Sequence, residues 1–543
     1  MSAPPSRFSP PYFRPPLDYP EHPFHGLLRS SAGRCPDRVA LVDGEREVTF
    51  RELEGLSNAC ARALRAAGVV PGDRVGLFLP NSIEFEIAFF GVSKAGAVVT
   101  PLNASFKEAE ARYQLQDSGT KLVVVEESRL PVIEAVSSEL PDLLEVIVAG
   151  EGENPAGRPR FRDWVLAESP SPPPEPPIDP REDLIALPYS SGTTGLPKGV
   201  MLTHRNLVSN YVQFAANHRI TDRDSGLLFL PLYHIYGAMI MGGLILAGAP
   251  QILMARFGAE EALRLVERRR LTLFYGTPPA LLAISQIPDL ENYDLSSLRY
   301  IMSGAAPLPT EICRRVRERT GVLTFMGYGL TEASPLTHMN PPDEAWVKEA
   351  SVGPPVSDEE QKVVDIETGE KEMPPGEAGE LILRGPQVMK GYWNAPEETA
   401  LALRDGWLYT GDIVRIDEDG YVFILDRLKE MIKYKGFAVA PAELEALLHG
   451  HPEVADAAVI AKADPEAGEI PKAFIVPKND PPPDPEAIMA FVQERVAGYK
   501  QIREIEFIDA IPKSGSGKIL RRVLREKEDA SPRGRPKKTE GSP

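Results

Sequence analysis

The sequence predicts an α/β protein: a large N-terminal domain of two α/β subdomains plus a small β-barrel-like lobe, followed by a small α+β C-terminal domain. Three observations predict it. Short apolar runs alternate with segments of helical period over residues 24–350, the arrangement that layers helices on sheets. From 351 to 425 the pattern changes to short β-like pieces, Lys362-Val-Val-Asp, Glu380-Leu-Ile-Leu and Tyr421-Val-Phe-Ile-Leu, which predicts the barrel-like lobe. Residues 427–528 return to an α+β mixture, with Glu443-Leu-Glu-Ala-Leu-Leu, Val454–Val459, Ala473-Phe-Ile-Val and Ile505-Glu-Phe-Ile. The expected division is 1–23, 24–425, 426–528 and 529–543.

Each element has its own signal. Residues 1–23 are dense in proline and predict an extended arm without a core of its own. Val39-Ala-Leu-Val and Val48-Thr-Phe, joined by Asp43-Gly44, predict a hairpin. From Arg51, apolar residues at Leu53, Leu56, Ala59, Cys60, Ala63 and Leu64 follow helical spacing. Strand-like Arg74–Leu79, a helical 83–94 segment, Ala97-Val-Val-Thr and Leu122-Val-Val-Val complete the first α/β round. Ser169–Pro180, with three consecutive prolines, reads as an exposed polyproline-like connector. The second round runs through helical 204–217, Gly226-Leu-Leu-Phe-Leu, a 256–269 helix, Leu271-Thr-Leu-Phe and Leu298-Arg-Tyr-Ile-Met. Asp529–Pro543 is polar and basic and is expected to be disordered.

Composition narrows the function classes. The 543 residues make about three or four packing units at the usual domain size, with 43% hydrophobic and 25% charged residues. A net charge of −18 argues against nucleic acid as a partner, so any anionic ligand needs locally concentrated positive charge. Three widely spaced cysteines, Cys35, Cys60 and Cys313, suggest neither a disulfide framework nor a zinc site and fit a reducing compartment. No signal-peptide core, uninterrupted membrane-spanning run or C-terminal peroxisomal tripeptide is expected, so the expected location is cytoplasmic.

Residues 189–200 read Tyr-Ser-Ser-Gly-Thr-Thr-Gly-Leu-Pro-Lys-Gly-Val, after the apolar run 184–188. Such a stretch predicts a strand opening into a phosphate-holding loop. Gly192 and Gly195 let the backbone approach an anion, Ser190, Ser191, Thr193 and Thr194 donate hydrogen bonds, and Lys198 adds charge. Gly199 follows Lys198 where a Walker A loop needs Ser or Thr, so the loop is of another kind. It resembles the AMP-binding signature of the adenylate-forming superfamily. Residues from about 24 to 525 resemble that superfamily's CoA-ligase branch, the fatty-acyl-CoA synthetases and 4-coumarate–CoA ligases.

The resemblance implies roles for particular residues. Gly327-Tyr-Gly-Leu-Thr-Glu is similar to a motif in which Tyr328 stacks on adenine, Thr331 meets the α-phosphate and Glu332 binds Mg²⁺, with Thr193 as a second candidate ligand; Gly327 and Gly329 belong to the nucleotide site. Trp407-Leu-Tyr-Thr-Gly-Asp gives Asp412 the ribose hydroxyls, since one carboxylate accepts from two vicinal hydroxyls. Ile424–Phe437 resembles the segment joining the two domains: Asp426 the hinge, Arg427, Lys429 and Lys433 facing the nucleotide, Lys435 and Gly436 along the CoA channel. Ala438 departs from the Gln or Asn often found in relatives. Ile511-Pro-Lys-Ser-Gly-Ser-Gly-Lys resembles the motif of the catalytic lysine, here Lys518. Gly304, Ala305 and Ala306 are assigned to the adenine and acyl side of the cleft. His234 and Tyr236, in Pro231-Leu-Tyr-His-Ile-Tyr-Gly, with Met239 and Gly243, are assigned to the acyl pocket, and Arg256 to a CoA phosphate.

The implied reaction has two steps and no covalent enzyme intermediate. A carboxylate and MgATP give an acyl-adenylate and pyrophosphate, and the CoA thiol then displaces AMP. The small domain is expected to be mobile, rotating about Asp426 between the steps. The small, apolar pocket candidates favour a medium- or long-chain fatty acid. Aryl-propenoates and loading of a carrier protein stay open as alternatives, as does a non-catalytic nucleotide-binding protein. The expected partners are a small carboxylic acid, ATP and CoA, without nucleic acid or membrane segment, in a monomer or homodimer.

Overall fold

The structure, a computed structural model, describes residues 14–150, 157–190, 197–428, 430–435, 437–514 and 517–530. Two eight-stranded sheets form the body of the large domain. In the first, the strands Gly226–Leu228, Gln251–Leu253, Leu273–Gly276, Tyr300–Ser303 and Thr324–Gly329 run parallel. The hairpin Val39–Asp43/Arg46–Thr49 closes one edge, and Leu336–Met339 lies antiparallel at the other. In the second, Arg74–Phe78 lies between Val98–Pro101 and Thr120–Glu126, all parallel. Leu184–Ala186 continues this parallel set, and Lys198–Thr203 turns back antiparallel to it.

The helices Ile83–Ala95 and Ile235–Ala247 are mostly apolar, as burial on most sides favours. In Ile83–Ala95 every residue but Glu84 is buried. The helix touches strands of both sheets, and one contiguous core includes residues of both, among them Leu77, Phe89, Leu273 and Ile301. Glycines set the closest helix contacts. A Cβ at Gly242 or Gly243 would lie 2.1 or 2.2 Å from the Tyr211 or Phe214 ring. The helix Ile235–Ala247 therefore seats directly on His204–Asn217. The second helix starts at Phe50 with a Thr49–Glu52 capping box, one residue before the expected start.

A third, five-stranded sheet is the barrel-like lobe, with Glu360–Val364, Gly379–Arg384, Leu403–Arg404, Trp407–Ile416 and Val422–Arg427. Its antiparallel register sets Arg427 opposite Asp412 and Asp426 opposite Ile413. The small C-terminal domain has a core of its own around Ile432, Leu444, Val459, Ile475 and Ile488. That core is built on the long antiparallel pair Val454–Asp464 and Gly468–Pro477, against the helices Pro441–His449 and Pro485–Gln493.

Two segments expected to be merely extended are fastened down. Arg14 donates to the carbonyls of Met339, Pro354 and Pro355, and both Leu17 N–H and Tyr19 Oη donate to Asp358 Oδ2. In the proline-rich connector, carbonyls of Ser171, Pro172 and Pro174 accept from Arg62 and Arg65. Among the described residues no helix is long and apolar enough to cross a membrane.

Candidate active site

The signature stretch folds as a hairpin. Tyr189–Ser190 leads in, Lys198–Thr203 leads out, and Ser190 pairs with Lys198. Ser191, Gly192, Thr193, Thr194 and Gly195 lie outside the described residues. At the hairpin's base Lys198 Nζ is 3.2 Å from the Glu398 carboxylate and 5.7 Å from the centre of the Tyr392 ring. The lysine is paired rather than free.

Glu332 follows the strand Thr324–Gly329 in a single turn, Thr331–Ala333, that Ser334 ends in the left-handed region at φ 73. Its main-chain oxygen accepts from Met389 N–H at 2.8 Å. Glu332 Oε1 accepts from Ser190 Oγ at 3.1 Å and Tyr392 Oη at 2.9 Å. Glu332 Oε2 accepts none among the described residues. Gly329 is required here, because a Cβ would stand 2.2 Å from the Pro335 carbonyl oxygen. A Cβ at Gly327 would collide with Met302 at 2.2 Å.

Asp412 is 2% exposed and engaged through both oxygens. Tyr328 Oη donates to Oδ2 at 2.5 Å, and Arg427 Nε lies 2.9 Å from Oδ1. Burial and the adjacent carboxylate hold the Tyr328 phenol far above its ordinary pKa, so it stays a donor. One residue before Arg427, Asp426 accepts from the N–H of Arg427 at 2.6 Å and of Ala442 at 2.8 Å. Asp426 thereby caps the helix Pro441–His449 from the last strand of the barrel-like lobe. Burial pushes its carboxyl up to about 6.

The small domain reaches this centre through Lys518. Burial, and then the repulsion of Arg427, lower its ammonium pKa to about 8, against the attraction of Asp412, Glu430 and Glu332. The loop is docked closely: Gly517, at φ +83, has Pro279 2.7 Å from where a Cβ would stand. His234 caps the helix Ile235–Ala247, its Nδ1 accepting from Tyr236 N–H at 3.3 Å. Burial, then the charge of Lys518, push its imidazole down to about 4, so it is neutral at neutral pH. Tyr236 is buried, its hydroxyl has no partner among the described residues, and its ring lies 3.2 Å from the Cβ position of Gly304. Ala305 is exposed in the left-handed region at φ 72, a strained conformation for a residue with a Cβ, and Ala306 is half-buried.

The structure thus brings together Ser190, Glu332, Tyr328, Asp412 and Arg427, with Lys518 in their electrostatic field and His234 in that of the lysine. Other expectations need correction. Gly243 meets Phe214 at the helix contact and does not face the acyl pocket, because its missing side chain is what admits that ring. Met239 is fully buried in the main core. Lys433 and Lys435 are exposed on the hairpin Ile432–Val439 of the small domain. Arg256 is exposed too, and Lys429 and Gly436 lie outside the described residues. Tyr392 and Glu398 were not singled out from the sequence; an aromatic residue after Gly391, just ahead of Pro396-Glu-Glu, was the available signal. Among the described residues no group of three His, Cys, Asp or Glu side chains could hold a metal ion alone.

Residues 28–393 match the AMP-binding enzyme family, and residues 443–518 match its C-terminal domain. The chain belongs to the AMP-binding enzyme family, within the adenylate-forming superfamily. A 4-coumarate–CoA ligase of Pinus taeda is 41% identical over 526 residues, 94% of this chain and 96% of that one. Among solved structures, an anthranilate CoA ligase, AuaEII, in complex with anthranoyl-AMP has TM-score 0.86 at 31% identity, covering 94% of this chain and 98% of its own. ATP-bound MatB from Rhodopseudomonas palustris has TM-score 0.85 at 31% identity, covering 93% and 99%. In this AMP-binding enzyme the family match spans the Ser190 hairpin, Glu332 and Tyr392, and the C-terminal match ends at Lys518.

Proposed function

We propose that this protein is an aryl-acid–CoA ligase of the 4-coumarate type, activating an aryl-propenoate with ATP and passing it to CoA. At the coarser level the chain is an ATP-binding, AMP-forming acid–CoA ligase. The observation that carries the aryl reading is the 41% identity to a 4-coumarate–CoA ligase over nearly the whole of both chains. That likeness favours the aryl alternative over the fatty-acid expectation.

The geometry supports a division of labour. Lys518 supplies a positive charge between the attacking carboxylate oxygen and the α-phosphate. Pyrophosphate leaves as the carboxylate O–P bond forms, and positioning and charge neutralisation carry most of the catalysis. Asp412 receives the ribose by exchanging the contacts of Tyr328 and Arg427 for hydroxyls. Neutral His234 shapes the carboxylate site without adding charge. Glu332 fits a magnesium ligand, because among the described residues Oε2 accepts no hydrogen bond and Mg²⁺ takes one or two carboxylates plus substrate phosphates and waters. Bound Mg²⁺ supplies charge neutralisation for the pyrophosphate. In the second step the CoA sulfur displaces AMP from the acyl carbon, with Asp426 as the pivot and Lys435 and Gly436 along the thiol's path.

The test is pyrophosphate release and AMP formation over aryl, fatty and short carboxylates, with and without CoA. CoA-dependent turnover peaking on coumarate-like acids is expected. A peak on one aliphatic chain length would restore the fatty-acid reading, and turnover only with a phosphopantetheinylated carrier would replace CoA as the acceptor.

A further inference from the structure

Tyr392 belongs to none of the motifs assigned above, yet it touches the phosphate side of the site. Gly391–Tyr392 pairs antiparallel with the outgoing strand of the signature hairpin, Tyr392 opposite Val200. Tyr392 N–H donates to Thr399 Oγ1 at 2.9 Å, and a Cβ at Gly391 would lie 2.7 Å from the Thr399 side chain. The tyrosine's backbone is therefore fixed from both sides, and its ring packs on the edge of the main core. Its hydroxyl and Ser190 Oγ donate to one and the same oxygen of Glu332. A carboxylate gripped by two donors through one oxygen has its other oxygen aimed in one direction, the relationship by which outer partners orient metal ligands. Burial and the Glu332 charge raise the phenol's pKa, which keeps it a donor.

We propose that Tyr392 is a positioning residue for Glu332, holding Oε2 toward the divalent cation that accompanies the triphosphate. The proposal rests on the reading of Glu332 as a cation ligand. A tyrosine that merely closed the sheet edge would leave cation affinity unchanged.

The experiment is a Mn²⁺ titration of the full chain with α,β-methylene-ATP, read by the free-ion EPR signal with nucleotide alone as blank. Tyr392→Phe keeps the ring and is expected to weaken Mn²⁺ binding about tenfold. The apparent KM for Mg²⁺ rises with it, while carboxylate binding and the thermal midpoint hold. Mn²⁺ affinity unchanged within about twofold in Tyr392→Phe, with Glu332→Gln abolishing it, overturns the positioning role. Intact Mn²⁺ binding in Glu332→Gln overturns the cation-ligand reading itself. Should Tyr392→Phe fail to fold, Ser190→Ala removes the other donor to the same oxygen and carries the same expectation in smaller measure; unchanged affinity there also overturns the proposal.

Discussion

Lys518 and His234 come from different domains and share one electrostatic neighbourhood, the lysine's charge adding to burial in pushing the imidazole to about 4. The pH dependence of the first half-reaction follows. Lys518, lowered to about 8, carries its charge below that pH and loses it above. With ATP subsaturating, kcat/KM for pyrophosphate release should be level from pH 5 to 7 and fall above about 8. His234 contributes no change in that lower range, because it is already neutral. Lys518→Arg keeps the charge and should flatten the alkaline limb; an unaltered limb would assign it to another group.

The two half-reactions should separate by mutation. Lys518→Ala is expected to abolish adenylate formation and spare thioester formation from a supplied acyl-adenylate. Asp426→Pro, which fixes φ at the pivot, is expected to do the reverse. Equal loss of both halves in Lys518→Ala would contradict the lysine's role, and intact overall turnover in Asp426→Pro would refute the hinge.

Lys198 enters the site already paired with Glu398. A triphosphate must compete with that carboxylate, and an ion pair open to solvent is weak. Glu398→Gln should therefore lower the KM for ATP by roughly two- to fivefold, with kcat little changed. Initial-rate measurements over an ATP series decide it.

Glu86 is fully buried, with Gln251 Nε2 at 3.3 Å and Oε1 without a partner among the described residues. Burial raises its carboxyl to about 8 from an ordinary 4.5. The native state thus keeps a proton that the unfolded chain releases, and stability falls as pH rises from 4.5 to about 8. Below 4.5 both states are protonated and this loss is absent. Glu86→Gln should stabilise the large domain by roughly 1–3 kcal/mol at pH 8 and have little effect near pH 4.5. Urea denaturation at the two pH values checks the sign.

Arg14 ties the N-terminal arm to three carbonyls. Arg14→Ala leaves those acceptors short of a charged donor and should destabilise by about 1–3 kcal/mol. Thermal unfolding would show it as a lower midpoint.

What was legible in the sequence was whatever a short motif carries. Tyr328, Glu332, Asp412, Arg427 and Lys518 were each readable from local wording, and the structure brings the first four together, with Lys518 in their electrostatic field. Their mutual contacts were not readable. The Tyr328–Asp412 bond joins residues 84 apart, and only the strand register that sets Asp412 opposite Arg427 completes the arrangement. Gly243 misled because a small residue near a pocket motif looks like space for a ligand, whereas here it is space for Phe214. The charge cluster after Arg427 is divided between two elements. Arg427 ends a barrel strand while Lys433 and Lys435 stand on a hairpin of the small domain, so nearness in sequence does not put them on one surface. The alternation of strand and helix was legible because helices buried between sheets are largely apolar, as Ile83–Ala95 is apart from Glu84, Glu86, Ser93 and Lys94.

The close fit of Gly517 against Pro279 bears on how the two domains meet. Among the described residues, the hydrogen bonds of Lys513, Gly517 and Lys518 all stay within the small domain. Gly517 is therefore seated on Pro279 by shape, and among the described residues leaving that seat breaks no hydrogen bond of those three residues. A methyl at 517 would meet Pro279 and strain the φ +83 backbone, so Gly517→Ala is expected to loosen this seat. Residue 517 therefore sets how closely the segment before Lys518 can approach the large domain.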